Sequence, residues 1–183
     1  MSDHSHLEVI DQHKPAQEKH LSDALQRAIK SAYDPSGWRV EEVSLHTESQ
    51  DYAACSFTLN CQHVQYREAK ITPTKAGQFV TTWKRDENGI TIPFDSKDAI
   101  DFFIIAVRKD DHFGQFIFPK KILAEKGIIT HEDSEGKRGF RVYPPWDAAP
   151  NRQAVKSQEW QVLYFVKMDG DVDLRRLALL LTH

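Results

Sequence analysis

"AIDFFIIAVR", residues 99–108, is apolar at six consecutive positions from Phe102 to Val107. A strand with one face in water alternates apolar and polar residues, so an unbroken apolar run needs cover on both faces. This stretch therefore predicts a central strand, and "FGQFIF", residues 113–118, follows it across the turn Asp110 to Phe113. Upstream, "WRVEEVSLH", "DYAACSFTLN", "VQYREAKIT" and "GQFVTTWKR" each alternate β-branched or aromatic residues with polar ones, and predict an antiparallel meander.

Helices enclose these strands. Leu21, Ala24, Leu25, Ala28, Ile29 and Ala32 recur at helical spacing before "DPSG", which predicts a helix over residues 15–33. Pro119 opens a short helix in "KKILAEKG", because proline at a first helical position gives up no needed N–H. "GKRGFRVYPPW" reads as extended. From Asn151 the pattern predicts two helices, one carrying Val155, Val162, Leu163 and Val166, the other starting at a cap on Asp171. The fold class is mixed α/β: a central, mostly antiparallel or mixed sheet flanked by helices, in a single domain over residues 15–183 after a flexible segment, residues 1–14.

Composition narrows the function. The 183 residues carry 24 Lys and Arg against 27 Asp and Glu, a net charge of -3, so attraction to a polyanion has to be local. Cys55 and Cys61 are too few for a disulfide framework or a structural zinc site, which favours a cytoplasmic protein. No apolar run reaches membrane-spanning length. His4, His6, His13 and His20 fall at spacings that no helix face unites and read as solvated side chains. There is no P-loop, dinucleotide-binding or nucleophile-elbow motif, hence no small-molecule cofactor.

Against that acidic background, "QYREAKITPTKAGQFVTTWKRD", residues 65–86, holds five basic side chains: Arg67, Lys70, Lys75, Lys84 and Arg85. "GKRGFR" adds Lys137, Arg138 and Arg141 near Tyr143 and Trp146. Basic groups neutralise phosphates and aromatic faces stack on unpaired bases, so Arg67, Lys75, Lys84, Arg85, Lys137, Arg138, Arg141 and Trp146 are candidate nucleic-acid contacts. The rigid "RVYPPWD" suits a protein-interaction module instead.

A resemblance is carried by "REAKITPTKAGQFVTTWKR", "DFFIIAV", "GQFIFPKKIL", "GKRGFRVYPPWD" and "KSQEWQ". In this order they resemble the signature blocks of the MepB family, small bacterial proteins named from a multidrug-resistance operon. The resemblance implies a fold similar to PD-(D/E)XK nucleases, restriction-endonuclease-like, and a role in nucleic-acid binding; it implies no assigned activity, and the family pattern does not require an acid at Glu68.

Strand alternation puts Val64, Tyr66, Glu68 and Lys70 on one face, and Asp51, Ala53, Cys55, Phe57 and Leu59 together on a face of the preceding strand. Two hairpin registers are open. Pairing Leu59 with Gln62 sets Asp51 opposite Lys70 and diagonal to Glu68, at about 7 to 8 Å between Cα atoms; pairing Leu59 with Val64 sets Asp51 opposite Thr72. Asp51, Glu68 and Lys70 are the catalytic candidates. The two carboxylates suit Mg²⁺ or Mn²⁺ and the lysine suits developing charge, as phosphodiester cleavage requires. Binding alone requires no cofactor.

Overall fold

The computed structural model describes residues 20–182. The expected flexible segment, the first residues of the expected helix, and His4, His6 and His13 lie outside the described residues. Strands β1 (Val40–Leu45), β2 (Cys55–Leu59) and β3 (Gln62–Glu68) run as an antiparallel meander. Asn60 (φ 48°) and Cys61 (φ 68°) close the β2–β3 hairpin, and positive φ at both loop positions gives the twist that a two-residue turn needs. Leu59 consequently pairs with Gln62, the first of the two open registers.

Beyond β3 the expected meander ends. The Ala69 N–H makes a last bond to the Ala106 carbonyl at 2.9 Å, and the chain leaves the sheet. "VQYREAKIT" is thus two strands, because the next position beside β3 is taken by a later part of the chain. β4 (Lys70–Thr72) and β5 (Lys75–Thr81) belong to a second sheet, and β6 (Trp83–Arg85) and β7 (Thr91–Pro93) form a small ribbon. β8 (Phe102–Lys109) then returns parallel to β3, pairing Val64 with Phe102 through Glu68 with Ala106. β9 (His112–Pro119) lies antiparallel on its other side. The main sheet has the order β1-β2-β3-β8-β9-β11, where β11 is Phe165–Lys167; β10 (Gly139–Val142) joins the second sheet in the order β10-β5-β4.

Every residue of β8 from Phe102 to Val107 is at most 1% exposed, as the apolar run predicted. Phe102, Ile104 and Ala106 face a core with Leu25 and Ala28 of helix α1 (Asp23–Ala28) and Leu177 and Leu181 of helix α4 (Leu174–Leu181). Phe103, Ile105 and Val107 face the opposite core, with Val80, Phe140 and Val142 of the second sheet and Leu123 of helix α2 (Lys120–Glu125). The architecture is a mixed α+β fold with helices on both sides of a central mixed sheet. Among the described residues no helix is long and apolar enough to cross a membrane.

Both ends of the chain depart from the sequence reading. The N-terminal helix passes into a π-helical turn, Ile29–Tyr33, before the "DPSG" stop. Helix α3 (Arg152–Gln161) ends early, and Val166 lies in β11 on the free side of β9, pairing with Gln115. That pairing needs Gly114, since a Cβ there would lie 2.2 Å from Cζ of Phe165. The cap of α4 is Asp173, which accepts from the Arg176 N–H at 2.9 Å; Asp171 precedes it.

Cys55 is buried in the α1 core, and burial pushes its thiol up to about 12, with Arg67 opposing and Glu68 adding to the rise. The unfolded thiol ionises near pH 9 whereas the folded one keeps its proton, so stability falls as pH approaches and passes about 9. In urea unfolding between pH 8 and 9, about a unit or more below ordinary tyrosine ionisation near 10, Cys55→Ala should show a shallower loss than wild type.

Candidate nucleic-acid interface

The second sheet turns one face inward and the other outward. Gln78, Val80, Phe140 and Val142 point into the core, and alternation sends Lys70, Phe79, Arg141 and Tyr143 to the other side. Phe79 is paired with both Lys70 and Arg141, so one rung reads cation, aromatic, cation. The Arg141 guanidinium lies 5.9 Å from the Phe79 ring centre, and the Lys70 ammonium 5.1 Å from that of Tyr52. Tyr52 itself meets Phe79 edge-on at 6.2 Å.

Two glycines seat the rings. A Cβ on Gly139 would lie 2.5 Å from the Phe79 ring, and one on Gly77 (φ 71°) 2.6 Å from the Tyr143 ring. Without side chains at these points, Phe79 and Tyr143 lie down across the neighbouring strands. Arg141 fixes the corner by donating from Nη1 to the carbonyls of Ala76 (3.3 Å) and Gly77 (3.2 Å) and from Nη2 to Thr72 Oγ1 (2.7 Å). Lys70 and Lys75 are exposed, and Phe79, Arg141 and Tyr143 are partly exposed.

The remaining basic residues disperse. Arg67 is the main correction: it is 0% exposed, on the inward face of β3. Its guanidinium sits 5.9 Å and 5.7 Å from the rings of Phe94 and Phe103, and Nη1 donates to the Tyr66 carbonyl at 2.8 Å. Burial depresses its pKa to about 10, and Nε and Nη2 have no protein partner. A side chain so placed does not grip phosphate. Lys84 is ion-paired with Asp98, and Arg85 lies over Trp83 and donates to the Gly89 carbonyl at 2.7 Å. Arg138 pairs with Glu135 at 3.1 Å. Lys137 is exposed beside β10.

Trp146 is also committed. It stacks on His112 (5.0 Å, 14°) and meets Phe165 edge-on at 5.5 Å, while the adjacent Asp147 accepts from Lys109 Nζ at 2.9 Å. The "WD" pair therefore clasps the tip of the β8–β9 hairpin and offers no open stacking platform.

The catalytic candidates sit on three separate elements, with Lys70 reaching the Tyr52 ring beside Asp51. Asp51 lies outside β2, in a 3-10 turn, Gln50–Tyr52, flanked by Ser49 (φ 53°) and Ala53 (φ 49°). Alternation therefore does not carry from β2 back to Asp51. Glu68 ends β3, where one oxygen accepts from the Tyr66 hydroxyl at 3.4 Å and the other faces Arg108 Nη2 at 3.7 Å. Lys70 opens β4 in the second sheet. Among the described residues no three His, Cys, Asp or Glu side chains gather as a metal set. Asp51 and Glu68 thus stand on separate elements, and Glu68 faces the Arg108 guanidinium. Sequence reasoning missed Tyr52 and Phe79; Gly77 and Gly139, each close to an aromatic residue of the adjoining strand, are the signal that points to the rings.

Comparison with known proteins places the fold. Residues 46–167 match the MepB-like family, and the chain belongs to that family. A solved crystal structure of MepB is 41% identical, with a TM-score of 0.68 over 70% of this chain and 86% of that one. The structure of the bacterial homing endonuclease I-Ssp6803I gives a TM-score of 0.42 at 14% identity, over 85% of this chain and 91% of that one. No curated protein matches the chain.

The burial of Arg67 has a measurable consequence. A charged group taken from water with a single strong acceptor costs more than an apolar side chain of similar length in the same place. Arg67→Met should leave stability unchanged or raise it by about 1–4 kcal/mol, read as the urea midpoint at pH 7. A large loss of stability would show that Nε and Nη2 are satisfied by buried water.

Proposed function

We propose that this protein binds nucleic acid, without cleaving it, through the outward face of the second sheet. The observation that carries the reading is the rung Lys70, Phe79, Arg141, with Tyr52 and Tyr143 beside it. It sets aromatic rings on a solvent-facing sheet between cations. Lys70 and Lys75 neutralise backbone phosphates, with Lys137 at the neighbouring edge, and the rings accept unpaired bases by stacking. Sheet-borne aromatics reach the bases of a single strand and have no access to those inside a duplex. No divalent ion enters this reading, which rests on cations and rings alone.

Labelled single- and double-stranded DNA and RNA, titrated by anisotropy at several salt concentrations, test it. Single strands should bind more tightly than duplexes. Lys70→Ala with Lys75→Ala should weaken binding and flatten the salt slope by about one unit per lost phosphate contact. Phe79→Ala should cost about 1–3 kcal/mol on single strands and little on duplexes. Lys121→Ala, on the exposed side of α2, should change nothing. Mg²⁺ or Mn²⁺ should produce no cleavage, and Glu68→Ala should preserve affinity. Equal binding by wild type and the Lys70/Lys75 variant, with the fold intact, removes this face from the site.

A further inference from the structure

The second sheet is open at the outer edge of β10, which pairs with β5 alone. The Thr82 N–H bonds the Arg138 carbonyl at 3.0 Å, and alternation then directs the backbone groups of Phe140 and Val142 toward β5. Those of Gly139, Arg141 and Tyr143 point away from it. One side chain already occupies part of this edge: Gln161 of α3 accepts from the Tyr143 N–H at 2.8 Å and donates to the Arg141 carbonyl at 3.0 Å. Its amide makes the two contacts that a neighbouring strand makes. Beyond it, the N–H and C=O of Gly139 and the N–H of Arg141 face a groove of about 350 Å³ between β10 and α3.

The groove is one-signed. Lys126, Lys137 and Arg141 line it together with Asn151, Gln153 and Ser157, and no carboxylate does. Lys126 and Lys137 are exposed, and Lys126 lies 5.7 Å from the Trp160 ring on the same wall. Gly139 brings no side chain of its own to this edge, and the Phe79 ring fills its Cβ position on the outward face. Lysines at a sheet edge discourage indiscriminate pairing, but the same charges favour a strand that carries acids.

We propose that this groove binds an extended acidic peptide, contributed by a partner protein, as an added strand beside Gly139–Arg141. The backbone supplies the pairing, Lys126 and Lys137 select the sign of charge, and Gln161 sets the end of the site. The groove is the edge of the sheet and not its outward face, so the inference stands apart from nucleic-acid binding. Lys137, Arg141 and Tyr143 border both surfaces, and a docked acidic strand should weaken nucleic-acid binding there.

The test is a display library of random linear heptapeptides selected on the full chain, followed by anisotropy titration of the best synthetic peptide. Selected sequences should be enriched in Asp and Glu. A Lys126→Glu, Lys137→Glu double variant, whose folding circular dichroism verifies, should bind at least tenfold more weakly, whereas Lys121→Glu should match wild type. N-methylation of the peptide amides that face β10 should abolish binding, methylation of the alternate amides should spare it, and hydrogen exchange at Gly139 and Arg141 should slow in the complex. Selection without acidic enrichment, or equal binding by the charge-reversed variant or by both methylated peptides, overturns the proposal. So does a hexathymidylate probe that displaces the peptide and itself loses binding in Lys126→Glu, since the groove is then a nucleic-acid site.

Discussion

The burial of β8 on both faces governs the rest of the molecule. A strand with six consecutive apolar residues needs neighbours on both edges and a layer on each side. β9 supplies one edge through a tight turn, and β3 supplies the other in parallel. Parallel strands cannot be joined by a hairpin; they need a crossover over one face of the sheet, usually a helix. Here residues 69–101 make that crossover largely from strands β4 to β7. With β10 added, the connection becomes a second sheet, and it supplies the cover that β8 requires.

This arrangement explains why the basic stretch does not act as one patch. The chain changes sheets at Ala69, so Arg67 belongs to the main sheet and points into the layer beneath the crossover, while Lys70 belongs to the crossover and points out. Gln78 faces inward from β5 with neither side-chain polar atom partnered by protein. The space between the sheets therefore holds an arginine and an amide as well as an apolar cluster. Buried groups of this kind demand ordered water or strict geometry. Charge on the sequence was spent partly on the interior, and the outward face keeps only part of it.

What the sequence disclosed were the features encoded over short range. The β8 run, the β2–β3 hairpin and the α1 face each follow from neighbours a few residues apart, and each is present. The parallel partner of β3 was not legible, because alternation says which face a residue takes but not which strand lies alongside. The break at Ala69 bears no proline or glycine. Phe165–Lys167 reads as helix in the sequence because two apolar residues before a lysine fit either period, and only Gly114 on β9, with room for Phe165, decides for strand. Of the candidate site, Lys70 and Arg141 were visible as charges. Their placement on either side of Phe79 is a product of cross-strand register, which local sequence does not contain.

The two sheets also interleave along the chain. The main sheet takes β1 to β3, then β8 and β9, then β11, and the second sheet takes β4 and β5, then β10. Each is completed by a segment made after the other has begun. A nascent chain ending before β8 lacks the centre of the main sheet, and one ending before β10 leaves the other side of β5 open. Neither layer is an excisable module, and cutting the gene between them yields two incomplete fragments. The architecture thus favours inheritance and unfolding as one piece, with change concentrated in turns such as Asp86–Ile90 that cross neither sheet.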